Sequence, residues 1–599
     1  MRSSPNGSVR LRTRESGPGT VVGLLEWAAG HAEVGVRFVD RAERETWLSW
    51  AEVRRRALVV CGGLQALGIE PGQTVALVFP TGVAFLEAFF GVMLAGAVPV
   101  PLYPPARLGR LDEYHARTAA MLVAARARLV LADARVRRIL GSTVLAARPP
   151  LGCRELDDLP AAPPTPVAVG PDDLALVQFS SGTTVDPKPV ALAHRALVTQ
   201  ARAINSFWPD RSDTRHSGVS WLPLYHDMGL IGCIMPAIER PGPLTLIPPE
   251  DFITRPALWL RAISRYRATL SAAPNFAYAL CTRKIRDDEM DGVDLSCWQV
   301  AINGAETVVP EVVSAFNRRF ARWGLRPEAV TPVYGLSEAA LAVTFSDPWR
   351  PFGTKRFDRS ELARGRAVPT GDGLELAALG GPVAGFEVAV TRFGRPAASG
   401  EVGRVLVRGP SLMTGYLGRP AATARAVSGG WLDTGDRGFL LDGELYLTGR
   451  DKDILIVHGA NHAPEELERA AETAPGARPG CAVAVALPAG EDGTEGVLLL
   501  VEATHEASAA DRAALAERCA ERVVAATGVQ PSQVVVLAAG TLPRTSSGKL
   551  RRQAALRQFL DGSLRPPRRV TPAYLAGALA RSSLAYLRAR LAGSGSDDA

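Results

Sequence analysis

The sequence predicts an α/β protein of several domains: a large N-terminal α/β domain, a small β-rich subdomain and a small α+β domain at the C-terminal end. Three observations support this prediction. The chain has 599 residues, which is too long for a single hydrophobic core. Helical and strand-like patterns alternate from Val21 to about Pro149, as in a sheet with crossover helices. The pattern changes to short strands with glycine turns after Leu379, and it changes again after Arg450.

The N-terminal part begins with residues 1–20, which contain no apolar run, so we expect a disordered segment and no signal peptide. Helices are predicted at LLEWAAGHA and WLSWAEVRRRALVVCGGLQALG, and strands at QTVALVF, AVPVPL and ARLVLAD. The apolar run from Phe85 to Tyr103 has the length of a membrane span, but it contains Glu87 and two prolines. We therefore interpret it as a buried helix that leads into a buried strand. Residues 150–171 are rich in proline and predict a surface linker.

The composition limits the classes of function. None of the seven cysteines forms a C-x-x-C pair, and the eight histidines show no metal-ligand spacing. This argues against a disulfide framework or a zinc site, so we expect a soluble cytoplasmic protein without a transmembrane segment or a nucleic-acid partner. Of the 68 basic residues only five are lysines: Lys188, Lys284, Lys355, Lys452 and Lys549. A lysine that remains in such an arginine-rich chain is a candidate for a function that needs a compact charge on a flexible stem.

The stretch QFSSGTTVDPKPVALAH predicts a phosphate-binding loop. An apolar strand ends at Phe179, a turn rich in hydroxyl groups leads to Lys188, and a helix-like run begins at Ala191. Such a strand, loop and helix start directs N–H groups and hydroxyls at a phosphate. The stretch does not match the Walker A pattern, and a plain surface turn is the alternative. A second hydroxyl-rich loop, TSSGK, ends at Lys549.

Three polar loops follow strand-like runs farther along the chain. In SWLPLYHDMGLIG a proline breaks the strand, so Tyr225, His226 and Asp227 are predicted at a strand end, where open α/β sheets bind ligands. The runs WQVAINGAETV and VTPVYGLSEAA end in NGAE and YGLSE. These residues suggest a nucleotide pocket in which a base stacks on Tyr334 and Glu338 holds Mg²⁺. A polar loop without a ligand is the alternative in each case.

The C-terminal half divides into further units. The β-rich subdomain (379–450) contains the strands GFEVAV, GRVLVRG and GELYLTGR and the motif WLDTGD. The α+β domain (453–562) contains the strands GCAVAVALP, GVLLLVEA and SQVVVLA and the helix DRAALAERCAERVVAA. Residues 563–599 form a basic tail with a helix-like stretch.

Six motifs occur in order along the chain: SSGTTVDPK, LYHDMG, NGAE, YGLSEA, WLDTGD with GRDKD, and TSSGKLRR. Together, from about Val21 to Gly562, they resemble the adenylate-forming superfamily of acyl-CoA synthetases, luciferases and peptide-synthetase adenylation domains. Within it the chain looks most like the fatty acyl-AMP ligases, because of SWLPLYHDMGLIG, VPVPLYPPAR, ATLSAAPNFAY and HGANHAPEELE. Residues 348–373 resemble an insertion that this branch associates with making acyl-adenylate without releasing acyl-CoA; a loop expansion is the alternative.

The resemblance implies an N-terminal adenylate-forming domain (21–450) with two α/β sheet subdomains, a hinge (451–452) that includes Lys452, and a mobile C-terminal domain. It implies that the cofactor ATP is bound by Ser181, Gly182, Thr183, Thr184, Lys188, Gly304, Ala305, Glu306, Tyr334, Gly335, Ser337, Asp436 and Arg450. Within this set, Ser337 would bind the α-phosphate, and Asp436 and Arg450 the ribose. The implied catalytic residues are Lys549, which enters with the C-terminal domain, His226 at the mouth of an acyl tunnel, and Glu338 as the Mg²⁺ ligand.

The implied reaction is adenylation of a medium- or long-chain fatty acid, followed by transfer to an acyl carrier protein on another chain. An acyl-CoA synthetase is the second hypothesis. A non-catalytic acyl- or nucleotide-binding relative is the third, because Val185 and Pro189 stand where the family commonly has other residues; proline fixes φ and removes an N–H donor. Candidate tunnel residues, which flank the motifs, are Tyr225, Met228, Cys233, Met235 and Phe276.

Overall fold

The computed structural model describes residues 17–105, 107–180, 188–208, 216–457, 460–487, 496–505, 508–545 and 548–593. The α-helices in the described part of the chain are Val21–Ala29, Trp50–Ala66, Val83–Leu94, Leu111–Ala124, Ala134–Arg137, Gly141–Ala147, His194–Asn205, Asp227–Gly229, Met235–Glu239, Pro249–Thr254, Ala257–Arg265, Asn275–Lys284, Pro310–Phe320, Arg359–Ala363, Pro420–Ala426, Pro464–Glu472, Ala509–Thr527, Arg552–Leu560 and Pro572–Gly593. None of the helices in these residues is long and apolar enough to cross a membrane.

A nine-stranded sheet forms the centre of the N-terminal domain. Its strands, in spatial order, are Gly381–Pro382, Ala342–Phe345, Val330–Gly335, Val300–Asn303, Leu270–Ala273, Gly218–Ser220, Leu244–Leu246, Gly35–Val39 and Glu45–Ser49. Neighbours are parallel from Val330–Gly335 to Gly35–Val39, and the pairs outside this block are antiparallel. The strands at Gly218–Ser220, Val300–Asn303 and Val330–Gly335 therefore end at one edge, where all three predicted polar loops begin.

A second, parallel sheet supports the first. Its strands, in spatial order, are Val98–Pro101, Thr74–Val78, Leu129–Ala132 and Cys153–Arg154. The apolar run that suggested a membrane span is the buried helix Val83–Leu94 followed by the buried strand Val98–Pro101, as predicted. The described part thus contains the two α/β subdomains that were expected, and the predicted fold class is confirmed.

Two predicted helix starts are wrong. The run from Ala191 is part of the strand Pro189–Ala193, and the helix begins only at His194. This strand pairs antiparallel with Leu174–Phe179 and with Gly415–Tyr416, so long-range pairing overrides the local pattern. The residues WLS before Trp50 likewise end the edge strand Glu45–Ser49, because they pair with Gly35–Val39.

The remaining strands belong to smaller sheets. The β-rich subdomain has the antiparallel strands Glu387–Arg392, Arg395–Pro396, Gly403–Arg408, Val427–Ser428, Trp431–Leu441 and Glu444–Arg450. A hairpin of Thr354–Phe357 and Leu374–Ala377 spans most of the insertion-like segment. The C-terminal domain contains the hairpin Leu455–Val457 and Ala460–His462, and the sheet Ala477–Leu487, Gly496–Ala503 and Gln533–Leu537.

Candidate active site

A cleft of about 2100 Å³ lies between the N-terminal and C-terminal domains. Its lining includes Tyr334 from the end of the central strand Val330–Gly335 and His226 from the segment that follows the strand Gly218–Ser220. Asp436 comes from the β-rich subdomain and Lys549 from the C-terminal domain. Residues that are more than three hundred positions apart therefore face one space. We call this space the interdomain cleft.

Tyr334, Asp436 and Arg450 form a hydrogen-bonded group on one wall of the interdomain cleft. Tyr334 donates its hydroxyl to Asp436 Oδ2 at 2.6 Å, and Arg450 Nε donates to Asp436 Oδ1 at 2.9 Å. Antiparallel pairing of Asp436 with Arg450 brings these two residues together. Burial and the charge of Asp436 raise the pKa of Tyr334, so the phenol stays protonated. The charge of Asp436 also raises the pKa of Arg450.

A second group contains His226, Asp227 and Ser337. Asp227 is buried and accepts hydrogen bonds from Ser337 Oγ and from the Met228 N–H, and Nδ1 of His226 lies 2.5 Å from Asp227 Oδ1. Burial alone would raise the pKa of Asp227, but the charge and hydrogen bond of His226 and the Ser337 hydroxyl outweigh it and lower that pKa. Nε2 of His226 is buried without a hydrogen-bond partner among the described residues. His226 thus has one nitrogen fixed by Asp227 while the other remains available to a ligand.

The strand-end loops bring backbone and a carboxylate to the same cleft. Glu306 accepts the Phe276 N–H at 2.5 Å, and its burial raises its pKa. Ala305 has a positive φ of 67°, a strained conformation for alanine.

Close packing explains why glycine is needed at Gly304 and Gly335, the two glycines predicted for the described part of the ATP site. A Cβ on Gly335 would lie 1.9 Å from the Leu341 carbonyl oxygen, and one on Gly304 would lie 2.6 Å from a Val333 methyl group.

Lys188 and Glu338 meet at the ring of Tyr416. The Lys188 Nζ lies 4.6 Å from the ring centroid, and the Tyr416 hydroxyl donates to Glu338 Oε1 at 2.9 Å. Burial lowers the pKa of Lys188, although the nearby charge of Glu338 opposes this shift. A carboxylate with one oxygen committed to a hydroxyl still offers its second oxygen to a hard cation. Glu338 therefore fits the role of a Mg²⁺ ligand.

The four residues Ser181, Gly182, Thr183 and Thr184, and with them Val185, lie outside the described residues. Pro189 occupies the first position of its strand, where a missing N–H is tolerated, and its carbonyl accepts the Leu417 N–H at 2.8 Å. This departure from the family pattern is therefore compatible with the fold.

Lys549 enters the interdomain cleft on a short loop that Thr545 holds. The Thr545 N–H donates to the Lys549 carbonyl at 2.8 Å, and the Lys549 N–H donates to Thr545 Oγ1 at 3.0 Å. Burial and the neighbouring charge of Arg450 lower the pKa of Lys549, whereas Glu306, Asp227 and Asp436 act in the opposite direction. Lys549 therefore brings a positive charge within electrostatic range of Asp436 in the first group and of Asp227 in the second.

Most of the described site residues therefore lie around one cleft, and their roles in ATP binding and catalysis stay predictions. Lys452 is exposed on the connection between the domains and not on a wall of the cleft. Of the candidate tunnel residues, Tyr225, Met228 and Phe276 line the cleft, whereas Met235 is fully buried in the core. The sequence analysis missed Tyr416, because only its pairing next to Pro189 and Val190 places it beside Lys188.

The fold and the site define a class, the adenylate-forming enzymes. The model of the AMP-binding enzyme family matches residues 25–417. A Caulobacter vibrioides protein, whose name assigns it provisionally to the acyl-CoA synthetases, is 35% identical over 560 residues, or 91% of this chain and 96% of that protein. A medium-chain fatty acid–[acyl-carrier-protein] ligase of Moorena producens is 31% identical over 91% of this chain and 96% of its own.

Among solved structures, one from a study of fatty acyl-adenylate ligases of E. coli and L. pneumophila aligns with this chain with a TM-score of 0.84 and 32% sequence identity. The alignment covers 92% of this chain and 99% of that chain. The chain belongs to the AMP-binding enzyme family. The resemblance to fatty acyl-AMP ligases inferred from the six motifs is confirmed, and so is the prediction of an ATP-using, adenylate-forming enzyme.

Proposed function

We propose that this enzyme activates a medium- or long-chain fatty acid with ATP and Mg²⁺, releases pyrophosphate, and passes the acyl group to a carrier protein on another chain. One observation carries the proposal: Lys549 faces the Tyr334–Asp436–Arg450 group and the His226–Asp227–Ser337 group across one cleft. In the reaction a carboxylate oxygen attacks the α-phosphorus of ATP and pyrophosphate leaves. Two anions must approach each other, so a positioned cation supplies the largest single stabilisation.

The geometry suggests a role for each group. Asp436 is an acceptor for the ribose hydroxyls, since a carboxylate can accept from both at once. Tyr334 offers its ring to the adenine while its hydroxyl orients Asp436. Lys549 neutralises charge on the attacking carboxylate and on the leaving oxygens. Mg²⁺, held by Glu338, would supply further charge neutralisation at the phosphates.

The fatty acid is proposed to enter beside His226. The lining of the cleft there is apolar and includes Trp221, Met228, Ile253 and Phe276. Burial of a long alkyl chain is favourable by about 0.8 kcal/mol per CH₂ group. His226 lies where this apolar region meets the polar groups, and its unpartnered Nε2 is suited to the substrate carboxylate.

Contacts of the insertion-like segment support a carrier protein as the acceptor. Arg359 forms an ion pair with Glu466 of the C-terminal domain, and Asn461 Nδ2 donates to the Ala363 carbonyl at 3.3 Å. These contacts oppose movement of the C-terminal domain away from the cleft, which would give CoA access. The alternative, an acyl-CoA synthetase, is favoured by the name of the Caulobacter relative.

The adenylation step is tested with Lys549→Ala. A labelled C12 to C16 fatty acid, ATP and Mg²⁺ should give acyl-adenylate with the wild type, and its rate should fall at least about a hundredfold in the variant, the scale for removing one preorganised charge. Arg522→Ala, which removes an exposed cation from the helix Ala509–Thr527, is the matched control and should keep the wild-type rate. A wild-type rate in Lys549→Ala would contradict the proposed mechanism, and absence of acyl-adenylate with the wild type would identify a non-catalytic relative.

The acceptor is tested by adding CoA or a pantetheinylated carrier protein to preformed acyl-adenylate. Persistence of acyl-adenylate with CoA, and its consumption by the carrier protein, would support the proposal. Conversion to acyl-CoA would favour the synthetase alternative. Arg359→Ala should then raise the rate with CoA if the insertion restricts the C-terminal domain.

A further inference from the structure

The C-terminal tail, residues 563–593, runs from the C-terminal domain back to the N-terminal domain. At its start the Leu564 N–H donates to the Gln558 carbonyl at 2.8 Å, and the Leu564 side chain packs against an apolar cluster that includes Leu542 and Ala555. Farther along, the Arg568 N–H donates to the carbonyl of Gly109 at 3.1 Å. The tail is therefore attached to both domains.

The helix Pro572–Gly593 of the tail lies on the N-terminal domain through specific polar contacts. Tyr574 donates its hydroxyl to the Leu108 carbonyl at 3.0 Å, and Tyr586 donates to the Arg137 carbonyl at 2.9 Å. Between them the Gly141 N–H donates to Ser582 Oγ at 2.8 Å, and Ser582 is only 1% exposed. A buried hydroxyl that pairs with a buried N–H indicates a built contact surface.

Two glycines of the N-terminal domain make room for the tail. A Cβ on Gly141 would lie 2.0 Å from the Ser582 carbonyl oxygen, and one on Gly109 would lie 2.4 Å from that of Arg568. The nearest atoms to either Cβ all belong to the tail. Neither glycine has a positive φ, so alanine would strain only the packing of the tail.

Arg110 connects the tail to the loop that carries Lys549. Its Nη2 donates to the carbonyls of Thr541 at 2.7 Å, Gly540 at 3.0 Å and Arg565 at 3.1 Å. Thr541 lies shortly before Thr545, which holds the Lys549 backbone. One guanidinium of the N-terminal domain thus fastens both the segment before the catalytic loop and the start of the tail.

From these contacts we propose that Arg110 and the C-terminal tail position Lys549: together they hold the C-terminal domain closed on the interdomain cleft, with Arg110 as the positioning residue. The catalytic role of Lys549 in this inference rests on the proposed function. Without the tail contacts, fewer contacts oppose opening; those that remain among the described residues include the contacts of Arg110, of the insertion-like segment and of Glu113. The population with Lys549 in the cleft would then fall, and turnover would fall with it.

The test uses the full chain with Gly109→Ala and Gly141→Ala combined, because both Cβ atoms would collide with tail backbone. Gly170→Ala is the matched control, since its Cβ would have ordinary contact distances only.

Hydrogen exchange is the first readout, because it does not depend on activity. In the double variant, amides of residues 575–586 should exchange at least about tenfold faster, the scale of a backbone overpacking defect. Amides of residues 540–545 and 548–550 should also lose protection, while those of the buried core strand Thr74–Val78 should not. Loss of protection in the tail alone would overturn the inference, and so would unchanged protection in the tail.

Adenylation kinetics are the second readout. The double variant should lower kcat about five- to tenfold with little change in KM for ATP, because the ATP-binding groups on the N-terminal domain are untouched. Arg110→Ala should give the same kcat effect while the tail helix remains protected. Unchanged kcat in both would overturn the inference. If the wild type forms no acyl-adenylate at all, the proposed function fails, and hydrogen exchange at residues 548–550 still decides whether the tail holds the loop.

Discussion

The hydrogen bond between Tyr334 and Asp436 gives a prediction whose size follows from the structure. Asp436→Ala removes the acceptor that the Tyr334 hydroxyl contacts at 2.6 Å, and Tyr334 is only 7% exposed. A buried hydroxyl that loses its acceptor costs about 1–3 kcal/mol. The Arg450 side chain is 49% exposed, so water can replace Asp436 as its partner, and loss of the Arg450–Asp436 ion pair adds at most about 1 kcal/mol to the destabilisation. We therefore expect a total destabilisation of about 1–4 kcal/mol.

A double-mutant cycle isolates the Tyr334 contribution. Tyr334→Phe keeps the ring and removes the hydroxyl, so Asp436→Ala should cost about 1–2 kcal/mol less in the Phe background than in the wild type. Urea unfolding followed by tryptophan fluorescence measures these differences, provided that a single transition is seen. Additive costs would show that the hydroxyl does not depend on Asp436, and the argument for this group would fail.

The same cycle reports on ATP. In a Lys549→Ala background, which is expected to slow turnover, calorimetry should show that Asp436→Ala weakens ATP binding about ten- to a hundredfold, because the two charge-assisted hydrogen bonds proposed between Asp436 and the ribose would be lost. Tyr334→Phe should weaken it by less, since stacking is retained. Unchanged ATP affinity in Asp436→Ala would remove Asp436 from the nucleotide site.

Two further predictions concern stability. Burial lowers the pKa of His194 to about 4, and its neutral Nδ1 accepts the Val21 N–H at 3.2 Å. As the pH falls below about 6.5, the unfolded chain binds a proton at His194 before the folded protein does, so the free energy of unfolding is complete above that pH and falls by roughly 3 kcal/mol as the pH approaches 4. His194→Gln should flatten this pH dependence, as measured by urea unfolding. Arg552→Leu should destabilise the C-terminal domain by about 3–5 kcal/mol, because it leaves the buried carboxylates of Glu468 and Asp453 without their partner. The control Arg557→Leu, on the exposed face of the same helix, should cost less than about 0.5 kcal/mol in the same urea unfolding measurement.

Much of the fold and of the site follows from local sequence signals. Strand ends followed by glycine, a hydroxyl and a carboxylate predicted the loops at Gly304 and Gly335, because parallel strands end at one edge. The strand Pro189–Ala193 could not be predicted from local sequence signals, because its apolar run fits a helix equally well. Its strand identity comes from partners far along the chain, and the place of Tyr416 beside Lys188 has the same origin.

The position of Lys549 is the clearest case of a feature that local signals cannot supply. The loop fixes the Lys549 backbone through local contacts, such as the hydrogen bond from the Lys549 N–H to Thr545 Oγ1, but the place of the lysine in the cleft depends on how the whole C-terminal domain is seated. The structure fastens that domain at separate places: Arg359 of the insertion-like segment contacts Glu466, and Arg110 contacts the carbonyls before the loop. These contacts are tens to hundreds of residues apart in sequence, and all of them oppose the same opening. If Lys549 is the catalytic cation, as proposed, it leaves the cleft whenever the domain opens. The seating of the domain, and not the loop sequence alone, then sets how often the site is complete.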